Sequence, residues 1–246
     1  MYDGMLAETI TITGHAGDPI PAYLARPLGP GPFPGVVVIH HMPGYDPPTR
    51  AIAREFAASG YSAICPNLHH RYAPGESHLD AARATREAGG VPDAQCIGDV
   101  AAASALLRTL PNANGKVGVI GYCSGGRQAY VVACNVELDA AVDCYGGNVV
   151  MGADKLTPAQ PVAPIDMTPD MGCPLLGLFG AEDANPAPDQ VAQIDAALRE
   201  HGKEHEFHTY EGAGHAFFTV DRPNYNVDAA IDGWQKILDF FARHLS

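Results

Sequence analysis

The chain is predicted to fold as an α/β domain, a mostly parallel sheet with helices on both faces. Three observations predict it. Unalternating apolar runs recur at Gly35–Ile39, Lys116–Ile120, Ala140–Cys144 and Pro174–Phe179, as in strands buried on both faces. Segments with apolar residues at helical spacing separate them. Strand and helix alternate along the chain, which implies parallel neighbours joined by helical crossovers.

The elements follow in order. Thr9–Thr13 and Ala22–Ala25 read as short lead-in strands, and the proline-rich stretch 26–34 reads as irregular, because proline fixes φ and removes a donor. After strand Gly35–Ile39 and a Pro-Gly turn, Ile52, Phe56 and neighbouring alanines share one helical face that Gly60 closes. Tyr61–Cys65 is the next strand. Asp93–Leu107 is a helix with Ile97, Val100, Ala103 and Leu107 on one face. Strand Lys116–Ile120 leads to a helix over Gly126–Ala133, and strands Ala140–Cys144 and Pro174–Phe179 follow. Val191, Ile194 and Leu198 mark a helix stopped by Gly202, Glu206–Tyr210 is a weaker strand, and Val227, Ile231, Trp234, Leu238, Phe241 and Leu245 stripe the last helix. Residues 146–173 hold four prolines and no period; so long an irregular stretch reads as a lid or binding loop, or as an ordered surface excursion.

Composition narrows the class. A length of 246 residues suits a single domain over 1–246. No apolar run approaches the length of a membrane span, and Met1-Tyr2-Asp3-Gly4 opens without a basic, then apolar, leader. The balance of 15 basic against 28 acidic side chains, net −13, argues against nucleic acid and a polybasic membrane patch. Six cysteines, at 65, 96, 123, 134, 144 and 173, lack C-x-x-C spacing, so neither a zinc ribbon nor a disulfide scaffold is indicated. A cytoplasmic enzyme without cofactor, acting on a small molecule, is the expectation. Oligomeric state is not encoded legibly.

Chemistry enters at Gly121-Tyr122-Cys123-Ser124-Gly125, between an apolar strand and a helix. A strand turning into a helix through G-x-nucleophile-x-G is the nucleophile elbow of α/β-hydrolases, with cysteine here in the serine position. Ligands of open α/β sheets bind at the carboxyl ends of the strands. His40-His41, Cys123, Tyr145, Glu182-Asp183 and His215 all follow predicted strands. Their order, nucleophile, acid, histidine, is the α/β-hydrolase order. A free thiol of pKa ~8.5 is only a few per cent thiolate near neutrality, so His215 is read as its base and Asp183 as the group that orients the imidazole, with Glu182 as adjacent rival. Backbone amides of Ser124, at the helix start, and Met42, in the loop after Ile39, are the oxyanion-hole candidates; Pro43 cannot donate.

These residues resemble the dienelactone hydrolase (carboxymethylenebutenolidase) family. The match includes Pro43-Gly44, Gly60-Tyr61, Cys65-Pro66-Asn67-Leu68, Ala73-Pro74-Gly75, Gly115-Lys116-Val117-Gly118, Gly121-Tyr122-Cys123-x-Gly125-Gly126, Asp183 and Ala213-Gly214-His215-x-Phe217. The resemblance implies an α/β-hydrolase fold, a Cys-Asp-His triad with Asp183 as its acid, a thioester intermediate and a small ester or lactone as substrate. It also shows departures. His41 stands where family lactonases carry a glutamate near the nucleophile, and Thr219 where they carry a carboxylate-binding arginine. A second such arginine belongs in the helix after Ala-Pro-Gly, where Arg83 and Arg86 both qualify. His41, Arg86 and Tyr145 are therefore expected to face the substrate. Uncharged esters are expected to be preferred unless Arg71, Arg83 or Arg86 reaches the pocket.

Two rivals stand beside this reading. His40-His41 and His69-His70 follow neighbouring strands, and alternate residues of an extended segment point oppositely, so each pair could turn one imidazole inward to a metal. No further ligand spacing completes such a site. The other rival is a non-catalytic binding protein of the same fold.

Overall fold

The computed structural model describes residues 4–220 and 222–246; the leader expectation at Met1–Asp3 lies outside them. Eight strands form one sheet: β1 (Met5–Thr13), β2 (Pro19–Pro27), β3 (Phe33–Ile39), β4 (Ser62–Pro66), β5 (Ala113–Tyr122), β6 (Ala140–Cys144), β7 (Leu175–Gly180) and β8 (His205–Tyr210). Their spatial order is β1-β2-β4-β3-β5-β6-β7-β8. Pairings β1/β2 and β2/β4 are antiparallel, and all others are parallel. The mostly parallel α/β fold is therefore as the sequence predicts.

Successive strand residues serve opposite faces. Val36 and Val38 join α1 (Pro47–Ala58) and α6 (Val227–Leu245) in one core, through Phe56, Ile237 and Phe241. Val37 and Ile39 join α3 (Asp93–Thr109), α4 (Ser124–Ala133) and α5 (Pro188–Glu200) in the other, through Val100, Tyr130 and Ile194. Burial on both faces is why β3, β5, β6 and β7 read as unbroken apolar runs.

Three expectations need correction, and one helix, expected from the resemblance alone, lacks a sequence period. The stretch 26–34 is not wholly irregular: β2 runs through Pro27 and β3 begins at Phe33. Pro27 sits at a strand end opposite Met5, and Pro34 sits where the β3/β5 register shifts, so neither withholds a needed ladder donor. On α3 the buried row is Cys96, Val100, Ala103 and Leu107, with Ile97 only half-buried. Buried Asp99 sets that rotation, because it accepts from the His15 amide (2.7 Å) and from Arg71 (2.8 and 3.0 Å). On α6, Val227 (52%) and Ile231 (65%) are exposed, while Ala229, Ala230, Gly233 and Ile237 face inward. Gly233 lies against the Phe218 ring, where a Cβ would collide, so small residues take the inner face there. Finally, α2 (His78–Glu87) escapes apolar periodicity because it buries only Ala81, Ala82 and Thr85; its signal is Ser77, whose hydroxyl accepts from the Asp80 amide at 3.2 Å.

The 146–173 excursion carries two short 3-10 turns, Ala153–Lys155 and Pro164–Asp170. It is tied to the domain: Tyr130 and Thr168 hydroxyls lie 2.6 Å apart, and the Asp93 amide donates to Ala159 O at 2.9 Å.

Candidate active site

Cys123 is the N-cap of α4 at φ 57°, ψ −119°, left-handed space that strains a residue with a Cβ. Its amide donates to Cys144 O at 3.0 Å, tying the turn to β6. The glycines around it are sterically required. A Cβ on Gly121 would meet the Gly125 backbone, and one on Gly125 the carbonyls of Ile39 and His40. The other five cysteines are buried, and Cys123 alone is half-exposed. Burial pushes the Cys134 and Cys173 thiols up to about 12 and raises those of Cys65, Cys96 and Cys144 well above the ordinary value, which leaves them inert.

The β7 and β8 loops bring Asp183 and His215 to this turn. His215 Nδ1 lies 2.8 Å from Asp183 Oδ2, and the other carboxylate oxygen accepts from the Asn185 amide at 2.8 Å. Cys123 stands beside the His215 side chain and, with Asp183, favours its protonated form. Burial disfavours the imidazolium, but the Asp183 hydrogen bond and the charges of Asp183 and Cys123 outweigh it and raise its pKa to about 10. Asp183 is buried, whereas its neighbour Glu182 is exposed at the rim. Met42, Ser124, Cys123, Asp183 and His215 line one cavity of about 790 Å³. Ser124 opens α4, where its amide has no intrahelical acceptor.

Arg86 lines the same cavity. Arg71 does not qualify, being held by Asp18 and Asp99, and Arg83 is an exposed partner of Asp80. Of the three candidates, Arg86 is the one that lines the cavity. A second, buried arginine, Arg127 of α4, also borders the cavity, but Asp93 holds it at 2.6 and 3.1 Å.

His41 and Tyr145 border a different, adjoining cavity of about 220 Å³. His41 Nε2 sits 2.6 Å from Asp46 Oδ2. Burial opposes the Asp46 charge, yet His41 and Thr49 hold its carboxyl well below the usual range. Asp46 also caps α1 by accepting from the Thr49 amide at 2.9 Å; the sequence Asp46-Pro47-Pro48-Thr49 carries that cap signature. Tyr145, at φ 45°, packs edge-on to His215 with centroids 5.3 Å apart. Burial raises its hydroxyl pKa well above the ordinary value, and the neighbouring Thr219 and Phe218 backbone offset this in part.

The histidine pairs do not build a metal centre. His40 and His69 do turn inward and meet edge-to-face at 4.5 Å. But both His40 nitrogens are engaged, Nδ1 with His41 O (3.0 Å) and Nε2 with the Leu68 amide (3.2 Å), and burial lowers its pKa to about 4. Among the described residues, no group of three or more His, Cys, Asp or Glu side chains has ligand geometry.

One buried acid braces the elbow from below. Asp143 accepts from the Gly146 amide at 2.7 Å and touches the Cβ position of Gly126. Burial lifts its pKa to about 7, only partly offset by that bond. A carboxyl raised in the folded state contributes stability that is complete below about pH 4 and is lost as pH rises through about 7. Asp143→Asn keeps the acceptor and removes the charge. Urea unfolding should therefore find it more stable than wild type near pH 8 and closer to it near pH 5; a variant less stable at both would refute the assignment.

The chain is similar to known proteins over nearly its whole length. The model of the family described as "Dienelactone hydrolase family" matches residues 20–245. A Salmonella typhimurium protein provisionally named carboxymethylenebutenolidase is 36% identical over 248 residues, 98% of this chain and 89% of that protein. A Bradyrhizobium protein provisionally named 2-oxo-3-(5-oxofuran-2-ylidene)propanoate lactonase is 28% identical, covering 98% of each. The crystal structure of a Klebsiella pneumoniae protein, provisionally named dienelactone hydrolase, superposes with a TM-score of 0.88 at 34% identity, covering 98% of this chain and 100% of that one.

Proposed function

The chain belongs to the dienelactone hydrolase family, and from that premise we propose that it hydrolyses a small ester or lactone by cysteine-based acyl transfer. The observation that carries this reading is the Asp183–His215 pair, 2.8 Å apart, sharing one cavity with Cys123 at the strained start of α4. His215 Nε2 holds the proton drawn from Cys123 while Sγ adds to the substrate carbonyl, and Asp183 stabilises that imidazolium, in keeping with the raised pKa of His215. The amides of Met42 and Ser124 receive the oxyanion. Collapse expels the alcohol oxygen, protonated by His215, and leaves a thioester. Water, deprotonated by His215, then adds to the thioester; the second collapse releases the acid and regenerates the thiol. No step calls on a cofactor.

Arg86 is assigned to a polar or carboxylate end of the substrate. Because Arg86 is exposed, its contribution is modest and screened by salt. Arg86→Gln is expected to raise KM for a carboxylated lactone about fivefold at low salt, and to leave its methyl ester unchanged. Equal effects on both would remove Arg86 from the binding role.

The reading as a whole is tested by mass spectrometry of the intact protein during turnover of a slow ester. An acyl adduct on the Cys123 peptide is expected; an adduct elsewhere, or turnover without one, would overturn it.

A further inference from the structure

Beside the large cavity lies the second, of about 220 Å³, and the triad leaves it unexplained. It borders the reacting centre at two points: His41 lines it while the next residue, Met42, lines the Cys123 cavity, and the ring of Tyr145 separates it from His215. Its walls are largely hydrocarbon and aromatic, with Ala51 and Ile52 of α1, Tyr122 at the end of β5, Phe218, Val220 and Trp234 of α6, and His41, Thr49 and Thr219 contribute polar side chains. A dry apolar cavity of roughly 150 Å³ accommodates benzene, so this one holds a ring with a short linker.

Its charges select against anions. Glu55 stands on the wall, and Asp46 lies behind His41 at 2.6 Å. The arginines of α1 are turned away. Arg54 donates to the Tyr23 hydroxyl at 2.9 Å, and Arg50 lies over the Tyr23 and Tyr45 rings at 5.9 and 5.4 Å. Val220 is 74% exposed at this site, an apolar side chain left in water beside an apolar cavity.

We propose that this cavity is a specificity subsite for an uncharged aromatic substituent of the substrate, with Ala51, Ile52 and Trp234 reading its size. The proposal deepens the hydrolase reading and rests on it for the substrate's reacting group. The ester carbonyl then sits at Cys123, the ring passes Tyr145 into the apolar cavity, and any polar end lies towards Arg86.

Trp234 is the only tryptophan in the chain, so its emission reports occupancy directly. Benzyl alcohol should quench it saturably, and benzoate should bind about tenfold more weakly or worse. Ala51→Phe fills the cavity. It should abolish the quench and lower kcat/KM for benzyl acetate and ethyl phenylacetate about tenfold or more, with methyl acetate held within about twofold. Ile52→Ala should shift preference towards a naphthylmethyl ester, and this answers the objection that Ala51→Phe merely misfolds. Benzoate binding as tightly as benzyl alcohol, or an unchanged ratio of aryl to methyl ester in both variants, would overturn the subsite. Wild-type protein that binds benzyl alcohol but cleaves no ester would instead overturn the hydrolase reading and leave the cavity's preference standing.

Discussion

Replacing Cys123 with alanine is expected to lower kcat/KM for a small ester by roughly four orders of magnitude or more, the scale on which loss of a nucleophile acts. The side chain supplies the bond-forming atom, and its neighbours are arranged around it: the left-handed backbone, the start of α4 and the His215 imidazole in the same cavity converge on this residue. Cys65→Ala and Cys173→Ala serve as controls. Both thiols are buried with raised pKa, so their loss should leave the chemistry within about threefold of wild type. Intact kinetics in Cys123→Ala, with a folded protein, would overturn the cysteine mechanism. Cys123→Ser should retain little activity, because a hydroxyl is far harder to ionise in a site built around a thiol.

The second large effect is at the acid. Asp183→Asn should reduce kcat by about three to four orders of magnitude, since the amide favours the wrong imidazole tautomer and cannot stabilise the imidazolium. Glu182→Gln should change it about threefold at most, because Glu182 is exposed while Asp183 holds His215 Nδ1 at 2.8 Å. Pre-steady-state kinetics would locate the loss in both acylation and deacylation, as His215 moves a proton in each. The reverse ranking of the two variants would shift the acid by one residue.

Much of this was legible in the chain. Strands β3, β5, β6 and β7 are apolar throughout because helices cover both their faces, and Cys123, Asp183 and His215 each follow a strand at the sheet edge where α/β folds place ligands. The less legible parts have physical reasons. The α2 helix buries too little to show a period. The stripe read on α6 mixes residues of two faces, because Ala230 and Gly233 pack inward where the helix runs close to Phe218, leaving Val227 and Ile231 to solvent. The His41–Asp46 contact is hidden in a capping signature that reads as helix chemistry. The second cavity draws its walls from α1, the 218–220 loop and α6, segments that no local pattern links.

The glycines of the elbow bear on how such a chain diverges. Gly121, Gly125 and Gly126 each sit where a Cβ would strike backbone or the Asp143 carboxylate, so random drift through these positions ends in loss of the turn. Ala51 and Ile52 meet no such backbone veto, while Trp234 is held by packing on Phe56, ring centroids 5.0 Å apart. Under the proposed subsite, selection for a new substrate has its freest positions on α1 and a frozen set at the nucleophile. A library confined to the former explores recognition while leaving the reaction in place.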